Sequence, residues 1–466
     1  MPLVAAAVGL LVGLVVGPHT PRATATSGDE ALAADTVAAL GDPRGFGAVT
    51  AVRVRDGQVS VAGVGEERMG PGPDARYELG SITKVLTGML LADAVERGEA
   101  GLDDPLQRWL PELAGSAVGE VTLQEVATHH GGAPGLPPAL IGTGLVAGVT
   151  NSNVYEISTA EVLTQARTVQ LAGRGRYQYS NLGTALLGHA LARATGAQDW
   201  PTLLRTRMLD PLGMTSTRIA VSGPDPDVHP HLANGWPAAR WWGEGMAPAG
   251  TSTTTTAADL GRFAQAVLEG RAPGMAALEP VADDSAGGRT GLLWDVDEVD
   301  GRVLTGKNGG TAGSRTRIEL DRERGEAVVL LNNTDRWVDQ ATRALLLGRP
   351  NPEDGPRVEL PALAAPLLGL ALLVGSVVGL VRVRSRTGLL DGVLQGAAGL
   401  LVLLAAGPWA HLPGQLWTGL LAGWAAVAVL SVLRRAGLPW GGSRRIVEVV
   451  SLLASVGLLL LAVAML

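Results

Sequence analysis

Only two lysines, Lys84 and Lys307, stand among the 37 basic residues of this 466-residue chain; the other 35 are arginine. A general drift toward Arg leaves Lys where Arg cannot replace it. Arg stays protonated in proteins, whereas a desolvated Lys can lose its proton and act as a base or a tuned hydrogen-bond partner. Both lysines are therefore candidates for chemistry. Lys84 closes Ser81-Ile82-Thr83-Lys84, a spacing that puts hydroxyl and ammonium on one face of a helix. Serine is a weak nucleophile until an adjacent base activates it, and a helix start aims N–H groups at a nearby anion. The same Ser81 could instead cap the helix, so the pair alone leaves both roles open.

Two more polar motifs follow in order. Tyr177-Gln178-Tyr179-Ser180-Asn181 precedes a helical run ending at Thr195-Gly196, and Lys307-Asn308-Gly309-Gly310 follows a strand. The absence of cysteine removes disulfides, thiol catalysis and thiolate metal sites. Gly301 to Asn308 nearly matches a phosphate-binding loop, but Asn308 stands where a magnesium-binding hydroxyl belongs and Gly-rich turn sequence follows in place of a helix. Neither a Gly-x-Ser-x-Gly elbow nor a His-Glu-x-x-His zinc motif is present.

The three motifs together, using both lysines, resemble the serine β-lactamase and penicillin-binding-protein superfamily, and Tyr179-Ser180-Asn181 resembles its class C branch. Tyr77-Glu78-Leu79-Gly80, Gly101-Leu102-Asp103-Asp104-Pro105, Thr128-His129 leading to Gly135-Leu136-Pro137, Pro211-Leu212-Gly213-Met214 and Pro248-Ala249-Gly250 are similar to further family segments in the same order. The resemblance covers about residues 35–348. It implies that Ser81 attacks a carbonyl to form an acyl-enzyme while Lys84 holds its hydroxyl. It also implies Tyr179 as general base, its phenol lowered by two ammonium groups. Asn181, Lys307 and Gly309 would bind substrate, with Lys307 receiving a carboxylate, and the Ser81 and Gly310 amides would form an oxyanion hole. No metal or organic cofactor is implied. Asn308 departs from the usual hydroxyl residue, which puts substrate preference in doubt. His130-Gly131 stands where relatives carry Thr-Ser. His129 is expected to hydrogen-bond locally, His189 to be packed or at the surface, and Tyr177 to pack beside Tyr179, with a pocket edge as the alternative. Trp236, Trp241 and Trp242 are expected to pack their own loop, with a pocket wall as the alternative.

These residues need a scaffold. Alternating apolar positions from Phe46 to Val64, broken by Asp56-Gly57, read as a hairpin. Residues 302–305, 315–320 and 326–331 read as three more strands, and helical periodicity dominates between. An α/β (α+β) domain is expected, with one antiparallel sheet closed by the chain's two ends and a helical subdomain inserted.

Charge divides the chain. Residues 1–357 hold 30 basic and 41 acidic side chains, the remainder 7 and 3. The acidic part disfavours a nucleic-acid partner. Four apolar runs, 360–381, 389–407, 416–433 and 446–466, are each long enough to cross a bilayer. Arginines follow the first run (Arg382, Arg384, Arg386) and the third (Arg434, Arg435, Arg444, Arg445), placing those loops in the cytoplasm and the preceding domain outside. Asp391 and Glu448 are expected at the interface and His411 in a solvated external loop. The apolar stretch from Leu3 to Gly17, followed by Ala23-Thr24-Ala25, reads as a cleaved signal, with an uncleaved anchor as the alternative. The expected organisation is a signal or anchor over 1–25, a hydrolase domain over 26–348, a linker over 349–359 and four membrane helices over 360–466. The expected function is that of a membrane-tethered, extracytoplasmic serine hydrolase acting on a small-molecule or peptide acyl substrate, a β-lactam, D-amino peptide or small ester. The alternative is a penicillin- or wall-peptide-binding sensor that does not turn over.

Overall fold

The computed structural model describes residues 1–466 except 67–68, 286, 352–362, 435–436, 441–444 and 465–466. The amino-terminal hairpin forms because Asp56 and Gly57 both take positive φ (52° and 70°), as a two-residue type I′ turn requires. Its strands β2 (Ala48–Arg55) and β3 (Gln58–Gly65) join β1 (Ala25–Gly28) at one side of the main sheet. A small second sheet is made of β4 (Arg76–Glu78), β5 (Arg218–Ile219) and β6 (Thr253–Thr256). The main sheet is completed by β7 (Ala282–Asp283), β8 (Arg289–Thr290), β9 (Asp295–Val299), β10 (Arg302–Gly310), β11 (Arg315–Asp321) and β12 (Glu326–Asn332). Its order is β1-β3-β2-β12-β11-β10-β9-β8-β7, and β2 pairs antiparallel with β12. The chain's two ends therefore close one sheet, as the sequence pattern predicts.

Alternation along β12 divides the core. Val328 and Leu330 join Leu32 and Leu345, from α2 (Glu30–Leu40) and α7 (Asp339–Leu347), on one face. Val329 and Leu331 face the opposite way, into the core that holds α3 (Thr83–Glu96) and α6 (Ala257–Leu268). The inserted subdomain contains α4 (Pro138–Thr150) and α5 (Asn181–Ala194). Every residue of α3 from Thr83 to Ala94 is buried, so this helix is a fixed axis for whatever its first turn carries. One detail prepares the site: β9 pairs with β10 only up to Gly306, which leaves 307–310 paired on the β11 side.

Among the described residues, three helices are long and apolar enough to cross a membrane: α8 (Ala364–Arg382), α9 (Arg386–Ala406) and α10 (Gln415–Arg434). The fourth expected run forms α11 (Arg445–Ala464), described as an apolar helix over Val447–Leu460. Of the expected linker, only residues 349–351 are described. Asp391 and Glu448 are held inside the bundle: Ser451 and Ser455 donate to Asp391 (2.7 and 2.5 Å), and Ser385 and Thr387 to Glu448 (3.0 and 2.6 Å). His411 is half-buried against the amino-terminal domain, because that domain rests on the loop. At the amino terminus, α1 (Pro2–Val16) packs on α10 through small residues, with Thr418 Oγ1 donating to the Gly13 carbonyl at 3.1 Å. The domain is seated on one end of the bundle. Asn234 Nδ2 donates to the Ala405 carbonyl (2.7 Å), Thr20 Oγ1 to the Trp409 carbonyl (2.5 Å), and Trp236 packs into a cluster holding Trp409 and Trp417.

Candidate active site

Ser81 lies in a 3-10 turn, Gly80–Ile82, that runs directly into α3. Its hydroxyl shares a hydrogen bond with the Tyr179 hydroxyl (2.7 Å) and accepts one from Lys84 Nζ (2.9 Å). The capping role left open by the sequence is thereby excluded; α3 has no side-chain cap. Lys84 is fully buried and donates a second bond to the Ala249 carbonyl at 2.5 Å. Pro248-Ala249-Gly250 can lie so close because Gly250 takes a φ of 97° and a Cβ there would stand 2.1 Å from the Gly80 carbonyl.

Tyr179 sits just before α5, with Lys84 Nζ 5.0 Å and Lys307 Nζ 5.6 Å from its ring centroid. Burial alone would push its phenol up, but the two ammonium groups, with hydrogen bonds from Lys84 and Ser81, carry it below its ordinary value. Lys84 is pushed down by its own burial. For Lys307 burial is outweighed by Asp295 and the two tyrosines, and its ammonium is held up. Sequence reasoning missed Asp295, which takes the Lys307 ammonium at 2.6 Å. Lys307 thus stands beside the phenol as expected, while its charge is already engaged by Asp295.

Gly309 and Gly310 bring β10 against the nucleophile. A Cβ on Gly80 would stand 2.6 Å from the Gly310 nitrogen, and one on Gly309 would stand 3.1 Å from the Ser81 nitrogen and 2.2 Å from the Leu79 carbonyl. The two amides expected as an oxyanion hole are therefore neighbours. Gly309 itself packs on Leu79 and does not line the cleft. The cleft, about 360 Å³, is lined by Ser81, Tyr179, Asn181, Asn308 and Gly310 together with residues outside the motifs, among them Tyr155, Trp241, Arg315 and Trp337. Asn308 turns its amide to Asp339 (2.9 Å), and the Arg315 guanidinium lies 4.6 Å from the Trp337 ring centroid. Trp241 is a cleft wall and packs edge-on to Tyr155 at 4.7 Å, so the loop-packing expectation fails for it. Trp236 points to the membrane-side cluster instead.

The remaining expectations resolve locally. His129 accepts from the Ser180 amide through Nδ1 (3.3 Å), and His189 is buried with Nε2 on the Gly245 carbonyl (2.9 Å). Tyr177 packs on His129 and His130 (5.7 and 6.0 Å), and His129 in turn lies 4.7 Å from the Tyr179 ring. The decoy phosphate loop is an extended strand, β10. Two larger cavities, about 860 and 720 Å³, lie where the domain meets the helical bundle and contain none of the Ser81–Lys84–Tyr179 group.

Comparison with known proteins agrees with this geometry. The beta-lactamase family model matches residues 33–349. The chain is 32% identical to a beta-lactamase of Escherichia coli over 148 residues, 31% of this chain and 35% of that one. It is 30% identical to the D-alanyl-D-alanine-carboxypeptidase/endopeptidase AmpH of Escherichia coli over 174 residues, 35% of this chain and 42% of that one. These alignments span well under half of either relative. In fold, the chain is similar to a class C beta lactamase from Rhodobacter sphaeroides, with a TM-score of 0.56 at 22% identity, covering 69% of this chain and 98% of that one.

Proposed function

This chain belongs to the beta-lactamase family, and on that footing we propose that it is a membrane-tethered serine hydrolase that forms an acyl-enzyme at Ser81 on the outer side of a bilayer. The observation that carries the reading is the position of the Ser81 hydroxyl, 2.9 Å from a buried ammonium and 2.7 Å from a phenol whose proton affinity is lowered. As Ser81 Oγ bonds to an amide or ester carbonyl, its proton passes to Tyr179. The phenol then returns that proton to the departing amine or alcohol, and Lys84 holds the oxygen in line throughout. The Ser81 and Gly310 amides take the carbonyl oxygen, a contribution of about 3 kcal/mol per donor in comparable sites. Water then releases the acid by the reverse proton path. The related beta-lactamase and D-alanyl-D-alanine carboxypeptidase support β-lactams and D-amino peptides as substrate classes, and the same chemistry accepts esters.

Tethering is supported by the three long apolar helices and by arginines where α8 and α10 end and α9 begins, Arg382, Arg434 and Arg386, which mark the cytoplasmic side. The test is the full chain incubated with a fluorescent penicillin, a chromogenic β-lactam and short-chain esters. Turnover with a transient Ser81 adduct is expected. Ser81→Ala should lower it by at least roughly 10³-fold. Undiminished hydrolysis in that variant would place the nucleophile elsewhere, and a stable adduct without turnover would make the protein a binder.

A further inference from the structure

Behind the cleft, the cavity of about 720 Å³ has one wall from the catalytic domain (Leu232, Trp236, Trp241) and the other from the outer helix ends (Ala365, Ala405, Trp409). That volume is within the roughly 300–1,000 Å³ of cavities that enclose a small ligand. Only a thin wall separates it from the cleft. Trp241 lines both spaces, Tyr155 and Thr311 face the cleft, and their neighbours Val154 and Ala312 face the cavity. Several polar groups at its margin are held by backbone, while Ser152, His411 and the buried indole nitrogen of Trp236, which makes no hydrogen bond, also belong to the lining. Asn151 Nδ2 donates to the Pro237 carbonyl (2.8 Å), Asn234 Nδ2 to the Ala405 carbonyl (2.7 Å), and Asp335 accepts from the Ala233 amide (2.6 Å). The rest of the lining is mostly hydrocarbon and tryptophan, which suits an alkyl chain.

We infer that the substrates are esters or amides with an alkyl tail on the acyl side, drawn from the outer leaflet, with the carbonyl at Ser81 and the tail beyond Trp241 in this cavity. The inference rests on the hydrolase reading and names its substrate class. The scissile C–O or C–N bond breaks as Ser81 Oγ bonds to the carbonyl carbon, the Ser81 proton leaves with the alcohol or amine, and water then frees the fatty acid. Supply from a bilayer follows from the walls, since α8 begins and α9 ends at the cavity.

The test uses the full chain in lipid nanodiscs and p-nitrophenyl esters from acetate to octanoate, kept below their aggregation limits. Burial of each added methylene should raise kcat/KM by up to about fourfold. Filling the space from either wall, with Ala239→Leu or Ala365→Leu, should lower the octanoate-to-acetate ratio at least tenfold; two variants on separate elements guard against one that misfolds. A flat chain-length profile in the parent protein overturns the tail site while leaving the hydrolase intact, and a copurified phospholipid would then assign the cavity to a structural lipid. A rise that neither variant alters overturns it equally. No turnover of any ester or β-lactam and no Ser81 adduct would instead end the hydrolase reading, and this one with it.

Discussion

Glu78 closes β4 three residues before Ser81, and its buried carboxyl ties the two sides of the cleft together. Thr311 Oγ1 donates to it at 2.5 Å from the end of β10, and the Trp241 amide at 2.6 Å from the cleft wall. Burial pushes this carboxyl from 4.5 up to about 7, against the opposing pull of its two donors and of Arg240. The fold therefore favours the protonated form. That stability is fully present below about pH 4.5 and is lost as pH rises toward 7, a change of about 3 kcal/mol. A glutamine keeps both bonds, since its oxygen accepts from Trp241 and its amide can donate to Thr311. Melting scans of the parent and of Glu78→Gln at pH 5 and pH 7.5 should show the parent losing about 5 °C more than the variant. Equal losses in both proteins would show that Glu78 does not titrate in this window.

At the scale of elements, the segment that carries Tyr179 is held by a residue fifty positions away. His129 adopts a φ of 60°, which points its carbonyl at the Gln178 amide (2.7 Å) and its Nδ1 at the Ser180 amide (3.3 Å), one bond on each side of Tyr179. Burial first, then Lys307 and Lys84, hold the imidazole well below its ordinary value, so it stays neutral beside the two ammonium groups. His129 is a positioning residue. His129→Ala should lower kcat by on the order of 10²-fold with KM nearly unchanged, and shift the acid limb of the acylation pH profile, because Tyr179 loses its registry with Lys84. Asn tolerates positive φ and can accept from Ser180, so His129→Asn should recover much of the rate. If neither variant moves the pH profile, the bracket does not act through Tyr179. The same element shows what the sequence could reveal. Ser81 and Lys84 are legible because three residues on a helix fix their distance, and Lys307 because lysine is rare in this chain. The main sheet is legible from alternation and one two-residue turn. Asp295, Arg315 and Trp337 are not, since each reaches the site by packing between segments far apart in sequence and no local periodicity marks them.

For the whole molecule, the orientation of the cleft relative to the helical bundle depends on a narrow seam. Trp236 belongs to a loop of the catalytic domain, braced by the His231 amide on the Asn333 carbonyl (2.8 Å) and the Leu232 amide on the Trp236 carbonyl (2.7 Å). Its ring nonetheless packs with Trp409, Trp417 and Leu404 of the helical bundle and joins neither core of the domain. Removing a large aromatic from full burial costs about 3–5 kcal/mol; Trp236 is only half-buried, so about 2 kcal/mol is expected from its loss. That cost falls on the seam alone, because the strands of the sheet take nothing from this ring. In nanodiscs, Trp236→Ala should therefore speed hydrogen exchange of the 231–237 amides by at least tenfold and leave β10, β11 and β12 protected as before. Faster exchange in those strands as well would mean that the seam and the domain unfold as one unit, and that the bundle helps to hold the active site together as well as to orient it.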